Sequence, residues 1–190
     1  MKKYSIAVLL VLLPTCLCFG QVPRVPLNTA RGSDVYVGAM VVLPDNGRFG
    51  NYRLYGGEGA YTKKLSARWA VIASGAGVYG KFLNVTQITG TAGVKFNFLT
   101  GRFRPYGTTQ IGFVYQSSND EFAADHHPPL KPHTTDIEDG LTYRLGGGAD
   151  LQLSHRIYWR IVQWDVQPEP WARHTPLDVN FSSGIGYRFF

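Results

Sequence analysis

The last fourteen residues, from Leu177 to Phe190, alternate between apolar and polar side chains and predict a β-strand with one apolar face. Successive side chains of a strand point to opposite faces, so a period of two separates the two sets. The apolar set is Leu177, Val179, Phe181, Ile185, Tyr187 and Phe189, and the other set is Asp178, Asn180, Ser182, Gly184, Gly186 and Arg188. Such a strand must cover its apolar face, either with the core of a soluble sheet or with lipid.

The composition favours strands over helices. The 190 residues include 22 Gly, 11 Tyr, 11 Phe and 4 Trp, and a chain of this length suggests one domain. The mean hydropathy of −0.11 does not separate a soluble sandwich from a membrane barrel, because the lipid-facing side chains of a barrel alternate one-to-one with polar lumen side chains. We therefore predict an all-β fold.

Residues 1–20 have the organisation of a secretory signal peptide. Two lysines precede an apolar run at residues 6–13, which is too short to cross a bilayer as a helix, and small residues follow it. We predict cleavage after Gly20. The alternative is a lipoprotein with Cys16 as the lipidated residue, although Pro14 fits such a site poorly.

The charge and cysteine content narrow the function classes. Cys16 and Cys18 both lie in the signal segment, so the exported protein retains no thiol and no disulfide. Removal of Lys2 and Lys3 lowers the formal net charge from +6 to +4. This modest charge, the export signal and the lack of a basic cluster along the sequence argue against a nucleic-acid partner.

Eight strand-like segments fill residues 33–190, after a predicted periplasmic lead-in at residues 21–32. The fourth segment shows the alternation most clearly, with one apolar and one hydrogen-bonding set. The apolar set is Ile88, Ala92, Val94, Phe96 and Phe98, and the other set is Gln87, Thr89, Thr91, Lys95 and Asn97. In the seventh segment, residues 157–167, Arg160 has the wrong parity for the interior, so we predict a β-bulge between Arg160 and Gln163.

The connections between the segments fall into two alternating classes. Those at residues 63–66, 99–102 and 154–155 are short, whereas those at residues 44–50, 80–83, 117–139 and 168–175 are mostly longer. Alternate connections of an up-and-down antiparallel sheet lie at opposite ends, so the short turns share one end. Transmembrane barrels have this asymmetry, with tight periplasmic turns and longer extracellular loops.

On these features the chain after the signal resembles the small OmpA-type eight-stranded outer-membrane β-barrel family. The resemblance rests on the strand count, the loop asymmetry, residues 146–150 and 160–165, and the aromatic end of the last strand. It implies an up-and-down transmembrane barrel in the outer membrane, surrounded by outer-membrane lipid. Full-length members continue into a peptidoglycan-binding domain, which we do not expect here, so cell-wall anchoring is not carried over.

The resemblance also implies an assembly signal in the last strand. Barrel-assembly machinery is expected to recognise Tyr187, Phe189 and Phe190, although Phe190 adds one residue beyond the family's usual terminal aromatic.

An eight-stranded barrel leaves an interior just wide enough for side chains to fill, so a wide pore is not expected. Buried charges are costly unless paired, and the inward faces of the predicted strands carry charges of both signs. We therefore predict a lumen charge network that stabilises the barrel and blocks a wide channel. Its members are Glu58, Arg68, Lys95, Arg104, Arg144, Asp150, Arg160, Asp165, Asp178 and Arg188.

Metal and nucleotide sites are not favoured. The longest loop contains His126, His127 and His133, but their spacing matches no structural zinc pattern, and nearby prolines indicate an extended exposed loop. The glycine runs at residues 75–77 and 146–148 precede no helical pattern, which a nucleotide-binding loop requires. We predict no metal and no cofactor.

The predicted function is a non-enzymatic integral outer-membrane barrel with a structural or surface-interaction role and an unassigned surface ligand. Two alternatives stay open. Some barrels of this size are lipid A-modifying enzymes, and the nearest equivalents of their rim residues are His174 with Ser117, Ser118 and Asp120, without a recognisable nucleophile motif. The other alternative is a soluble lipocalin-type barrel that binds a small hydrophobic ligand.

Overall fold

The computed structural model describes residues 32–44, 53–81, 84–119, 135–168 and 177–189. These residues form eight strands, β1 to β8 in chain order, and each pairs antiparallel with the next. β8 also pairs with β1, so the sheet closes into a barrel and the predicted fold class is confirmed. The strands are β1 (Ser33–Leu43), β2 (Leu54–Lys64), β3 (Trp69–Gly80), β4 (Val85–Asn97), β5 (Phe103–Asn119), β6 (Thr135–Gln152), β7 (Ile157–Pro168) and β8 (Leu177–Phe189). Within the described residues, no helix is long and apolar enough to cross a membrane.

The stagger of the strands sets the width of the barrel. Paired residues can be followed from Leu43 on β1 through β8, β7, β6, β5, β4, β3 and β2, and this circuit returns to β1 at Ser33, 10 residues below its start. A closed sheet with such a stagger has strands tilted by roughly 40° to its axis. The result is a narrow cylinder in which inward side chains from opposite walls can meet.

Alternation of burial along each strand confirms the predicted inward and outward faces. The outward residues of β3, including Trp69, Val71 and Tyr79, are exposed, and the residues between them are buried. The predicted bulge in β7 is also confirmed, because the β7–β8 register shifts between Arg160 and Gln163 and both side chains are buried.

The connections β2–β3, β4–β5 and β6–β7 lie at one end of the barrel, and we call it the turn end. Two of these turns are built alike, since Leu65-Ser-Ala-Arg-Trp69 and Leu153-Ser-His-Arg-Ile157 share a Leu-Ser-x-Arg sequence. In the first, Ser66 Oγ accepts hydrogen bonds from the backbone N–H groups of Arg68 and Trp69, at 3.3 and 3.0 Å. In the second, the Oγ of Ser154 accepts the equivalent pair at 3.4 and 3.1 Å.

At the other end, which we call the loop end, β5 and β6 are longer than the sequence pattern predicted. Residues 117–139 were assigned to a connection, but Ser117, Ser118 and Asn119 pair with Ile137, Asp136 and Thr135. The prediction was wrong here because alternation marks a strand only where one face meets lipid. Above the bilayer both faces can be polar, and the period of two disappears.

A close approach inside the barrel requires glycine at position 186. The ring of Tyr158 on β7 lies against Gly186 of β8, and a Cβ atom at that position would lie 2.0 Å from Cζ of the ring. Tyr158 is almost fully buried by this arrangement. The glycine therefore makes room for an aromatic side chain in a lumen that would be too narrow for it otherwise.

Candidate functional site in the lumen and on the barrel wall

Arg144 of β6 forms an ionic cluster in the middle of the lumen. Its Nη1 lies 2.9 Å from Oε1 of Glu58 on β2, and its Nη2 lies 3.1 Å from Oδ2 of Asp165 on β7. All three side chains are at most 2% exposed. Because β2 and β6 stand four strands apart in a ring of eight, the bond to Glu58 spans the lumen.

A second ionic cluster surrounds Asp150 of β6, closer to the turn end. Lys95 Nζ lies 2.6 Å from Oδ2 of this carboxylate, and the Nε of Arg160 lies 3.0 Å from Oδ1. Both cations also contact aromatic rings, since Arg160 stacks 3.9 Å from the ring centre of Tyr36 and Lys95 lies 3.6 Å from that of Tyr106. Cation–π contacts of this kind add to the charge pairing where water is excluded.

Gln163 joins the two clusters. Its Oε1 accepts a hydrogen bond from Arg160 Nη1 at 2.7 Å, and its Nε2 donates one to Asp165 Oδ2 at 2.8 Å. The bulge in β7 is what allows this link, because it turns both Arg160 and Gln163 inward. A continuous polar network therefore runs through the lumen from Lys95 to Glu58.

The structure brings the remaining predicted members into smaller groups. Arg188 donates from Nε to Asp34 Oδ1 at 2.9 Å, near the turn end. Arg104 donates to the side chain of Gln152 and to the carbonyl of Gly101.

Asp178 is buried on β8 and accepts a hydrogen bond from Gln87 at 3.2 Å. One assignment was wrong, because Arg68 lies in a turn and is exposed rather than in the lumen. The paired part of β3 begins one residue later, at Trp69, so parity does not govern Arg68.

Several interior residues were not predicted. Asp34 and Lys64 lie at the turn end, where their Oδ1 and Nζ atoms are 4.0 Å apart. The sequence did contain a signal for Asp34, because Asp34 is adjacent to the outward-facing Val35 and therefore faces inward.

An apolar cluster also fills the walls formed by β1 to β4. Its members are Met40, Val42, Leu54, Ala76, Val78 and Val85. Most of these residues lie near the loop end of their strands, so apolar packing continues the filled interior beyond the ionic clusters.

The outer wall is apolar around its circumference. Its exposed side chains include Val37, Ile88, Ile111, Phe113, Leu145 and Ile185. Aromatic residues lie at both borders of this wall, with Trp69, Phe98, Tyr187 and Phe189 near the turn end and Tyr55, Tyr79 and Tyr115 near the loop end. An apolar band between two aromatic girdles is the surface of a barrel that spans a bilayer.

The last strand places its two described aromatic side chains side by side on the outer wall. The rings of Tyr187 and Phe189 are 4.9 Å apart and meet edge to face, and both are exposed. Phe190, the third residue of the predicted assembly signal, lies outside the described residues.

The residues considered for catalysis or metal binding are mostly beyond the described part of the chain. Ser117 is half-buried on β5, and Ser118 follows it in the strand. Asp120 and His174 lie outside the described residues, as do the loop histidines His126, His127 and His133.

The closed sheet and its apolar wall make this chain an integral outer-membrane β-barrel protein. A sheet can enter hydrocarbon only when no edge is left unpaired, and the closure of β8 on β1 meets that condition. The predicted outer-membrane location and the resemblance to small eight-stranded barrels are thus confirmed at the level of the fold.

Particular solved structures share this barrel. The attachment invasion locus protein of Yersinia pestis superposes with a TM-score of 0.58 at 14% identity, covering 84% of this chain and 99% of that protein. Neisserial surface protein A gives a TM-score of 0.66 at 8% identity, covering 83% of this chain and 97% of its own. The N-terminal β-barrel domain of OprF from Pseudomonas aeruginosa gives 0.53 at 13% identity, with 84% and 100% covered. No family model and no curated protein sequence matches the chain.

Proposed function

We propose that this protein is a non-enzymatic outer-membrane barrel whose filled lumen makes it a rigid scaffold for its extracellular loops. The observation that carries the proposal is the salt bridge from Arg144 to Glu58, which crosses the lumen and is joined through Asp165 and Gln163 to the second cluster. An open water path would require these buried pairs to separate. Their separation is costly because each charge would lose its partner in a poorly solvated interior.

Conductance across a planar bilayer tests the filled lumen. The wild-type barrel is expected to show no large, steady conductance, whereas the triple variant Glu58→Ala/Arg144→Ala/Asp165→Ala is expected to show a clear increase. Removing all three charges together avoids leaving an unpaired ion in the interior. A matched control truncates the outward Ile111 to alanine, which leaves the lumen unchanged. Large, steady currents through the wild-type protein contradict the proposal.

The loop end is the part of this scaffold available for contact with other molecules. A structure of the Yersinia pestis protein in complex with the heparin analogue sucrose octasulfate shows that one barrel of this fold can hold a sulfated sugar. In this chain, residues 120–139 contain six carboxylate side chains and one lysine. Because this segment would repel sulfate groups, we do not extend that ligand to this protein, and the surface ligand stays unassigned.

We propose that residues 1–20 direct export and that barrel-assembly machinery then recognises the last strand. The exposed Tyr187 and Phe189 support the second step, because their rings are available on the outer wall where another chain can reach them. Mass spectrometry of the exported protein should find Gln21 at its N-terminus. A first residue at Cys16 would support the lipoprotein alternative.

Replacing Phe189 by serine is expected to reduce the amount of folded barrel in the outer membrane several-fold. The matched control is Phe181→Ser, which removes a similarly exposed aromatic side chain from the same strand, eight residues before Phe189. Heat-modifiable gel mobility of the membrane fraction measures the folded amount, and refolding into detergent measures intrinsic stability. Equal losses for both variants in cells would contradict a role for the terminal aromatic residues in recognition.

A further inference from the structure

The turn end of the barrel carries exposed cations without exposed carboxylates among the described residues. The basic turn ring consists of Lys63, Arg68, Arg102 and Arg156. Each of the three described turns contributes one arginine. The described carboxylates closest to this end, Asp34 and Asp150, are buried and already bound to interior cations. The ring is not visible along the sequence, because its members come from the end of β2 and from three separate turns.

The turns hold two of these arginines in equivalent positions. Ser66 and Ser154 fix the backbones of the two Leu-Ser-x-Arg turns through the hydrogen bonds described above. Arg156 also donates from Nη1 to the hydroxyl of Tyr187 at 3.1 Å, which ties this cation to the aromatic girdle. The guanidinium group of Arg156 thus lies at the border of the apolar wall, and Arg68 occupies the equivalent position of its own turn.

Apolar side chains flank two of the three arginines of the ring. Leu65 and Trp69 lie on either side of Arg68, and Leu153 and Ile157 lie on either side of Arg156; all four are exposed. Such a border is the depth at which lipid headgroups meet the hydrocarbon layer. A planar guanidinium group is suited to bind phosphate with two parallel hydrogen bonds.

The two ends of the barrel differ in charge. At the loop end, Arg53 and Lys81 are exposed, but Asp139 is exposed as well and the sequence of residues 120–139 is acidic. Tight turns of outer-membrane barrels face the periplasm. The basic end therefore meets the periplasmic leaflet.

We infer that the basic turn ring binds the phosphate groups of anionic phospholipids in the periplasmic leaflet. Lys63 and the three arginines supply the charge, and the flanking apolar residues contact the upper part of the acyl chains. Attraction between a basic surface and an anionic leaflet acts within a Debye length and weakens with salt. The interaction would fix the depth and orientation of the barrel in an asymmetric membrane.

Thermal unfolding in vesicles of two compositions tests this inference. The wild-type barrel is expected to have a higher Tm in phosphatidylcholine mixed with phosphatidylglycerol than in phosphatidylcholine alone, and added salt should reduce the difference. In the variant Lys63→Gln/Arg68→Gln/Arg102→Gln/Arg156→Gln, the difference should be lost. The control Arg53→Gln/Lys81→Gln removes two exposed cations from the loop end and should keep it. Because each protein is compared with itself in two lipids, a change in basal stability does not affect the result.

Native mass spectrometry provides a second measurement. Phosphatidylglycerol molecules retained per wild-type barrel should fall several-fold in the quadruple variant and not in the loop-end control. Equal retention by wild type and quadruple variant would overturn the inference, as would a wild-type Tm that does not depend on phosphatidylglycerol. If inorganic phosphate added to phosphatidylcholine vesicles raises the Tm as much as phosphatidylglycerol does, the ring is a site for free anions and the assignment to lipid is wrong.

Discussion

Replacing Arg144 by methionine should lower the free energy of unfolding of the barrel by about 3–5 kcal/mol. The substitution leaves Glu58 and Asp165 as two buried carboxylates without their shared cation. Ser182 and Gln163 still donate hydrogen bonds to them, at 2.8 Å each, but neither neutral group replaces a full positive charge. Urea titrations of tryptophan fluorescence in lipid vesicles, extrapolated linearly to water, measure the loss.

The matched control separates charge pairing from loss of volume. In Arg144→Met/Glu58→Gln/Asp165→Asn the interior loses all three charges together, and uncharged groups of similar size remain. Replacing a complete buried ion cluster is often neutral or stabilising, so the triple variant should recover most of the lost stability. If the triple variant is as unstable as the single variant, packing around Arg144 matters more than its charge, and the proposed role of the network is wrong.

The inward and outward assignment could be predicted from the sequence because the bilayer imposes it residue by residue. A strand that crosses lipid must show hydrocarbon on one face, so parity alone places Glu58 inside and Tyr61 outside. The same rule located the bulge in β7, since Arg160 could not stay on the lipid side. The error at Arg68 shows the limit of the rule, because a turn residue is not bound by the parity of the strand beside it.

The partners inside the lumen could not be predicted. Parity places Arg144 inside, but its contact with Glu58 depends on the 10-residue stagger and the curvature of the barrel. The stagger is set by all eight registers together, and no single strand reveals it. The apolar cluster around Val42 was missed for a related reason. An interior position near the loop end can be polar or apolar, because either choice fills the lumen.

The three solved barrels compared above have between 8% and 14% identity with the chain, and the physical requirements explain how this is possible. The bilayer requires a pattern of side-chain classes on the outer wall and a filled, charge-balanced interior. Many combinations of residues satisfy both conditions. A shared fold therefore does not imply shared loop contacts, because these two requirements do not constrain the loop sequences.

Replacing Val37 by arginine should destabilise the barrel by about 2–4 kcal/mol, because it puts a charge on the lipid-facing wall near the middle of the bilayer. Val37 is 68% exposed and lies four residues above Ser33 on β1, which places it about 10 Å from the turn end of the strand. Its neighbours across the two ladders are Gly59 and Ile185, neither of which can pair with a cation. Reversible unfolding in phosphatidylcholine vesicles measures the cost.

The control is Leu65→Arg, which introduces the same side chain at a residue that is 64% exposed in the first turn. At that depth the guanidinium group reaches water and headgroups, so the expected cost is at most about 1 kcal/mol. Val37 and Leu65 are almost equally exposed. The difference in stability between their arginine variants therefore reports depth in lipid and not lost protein contacts. If Val37→Arg costs no more than Leu65→Arg, the wall does not face hydrocarbon, and a soluble barrel becomes the better interpretation. Val37→Met adds length without charge and should be nearly neutral, which excludes side-chain size as the cause of the arginine effect.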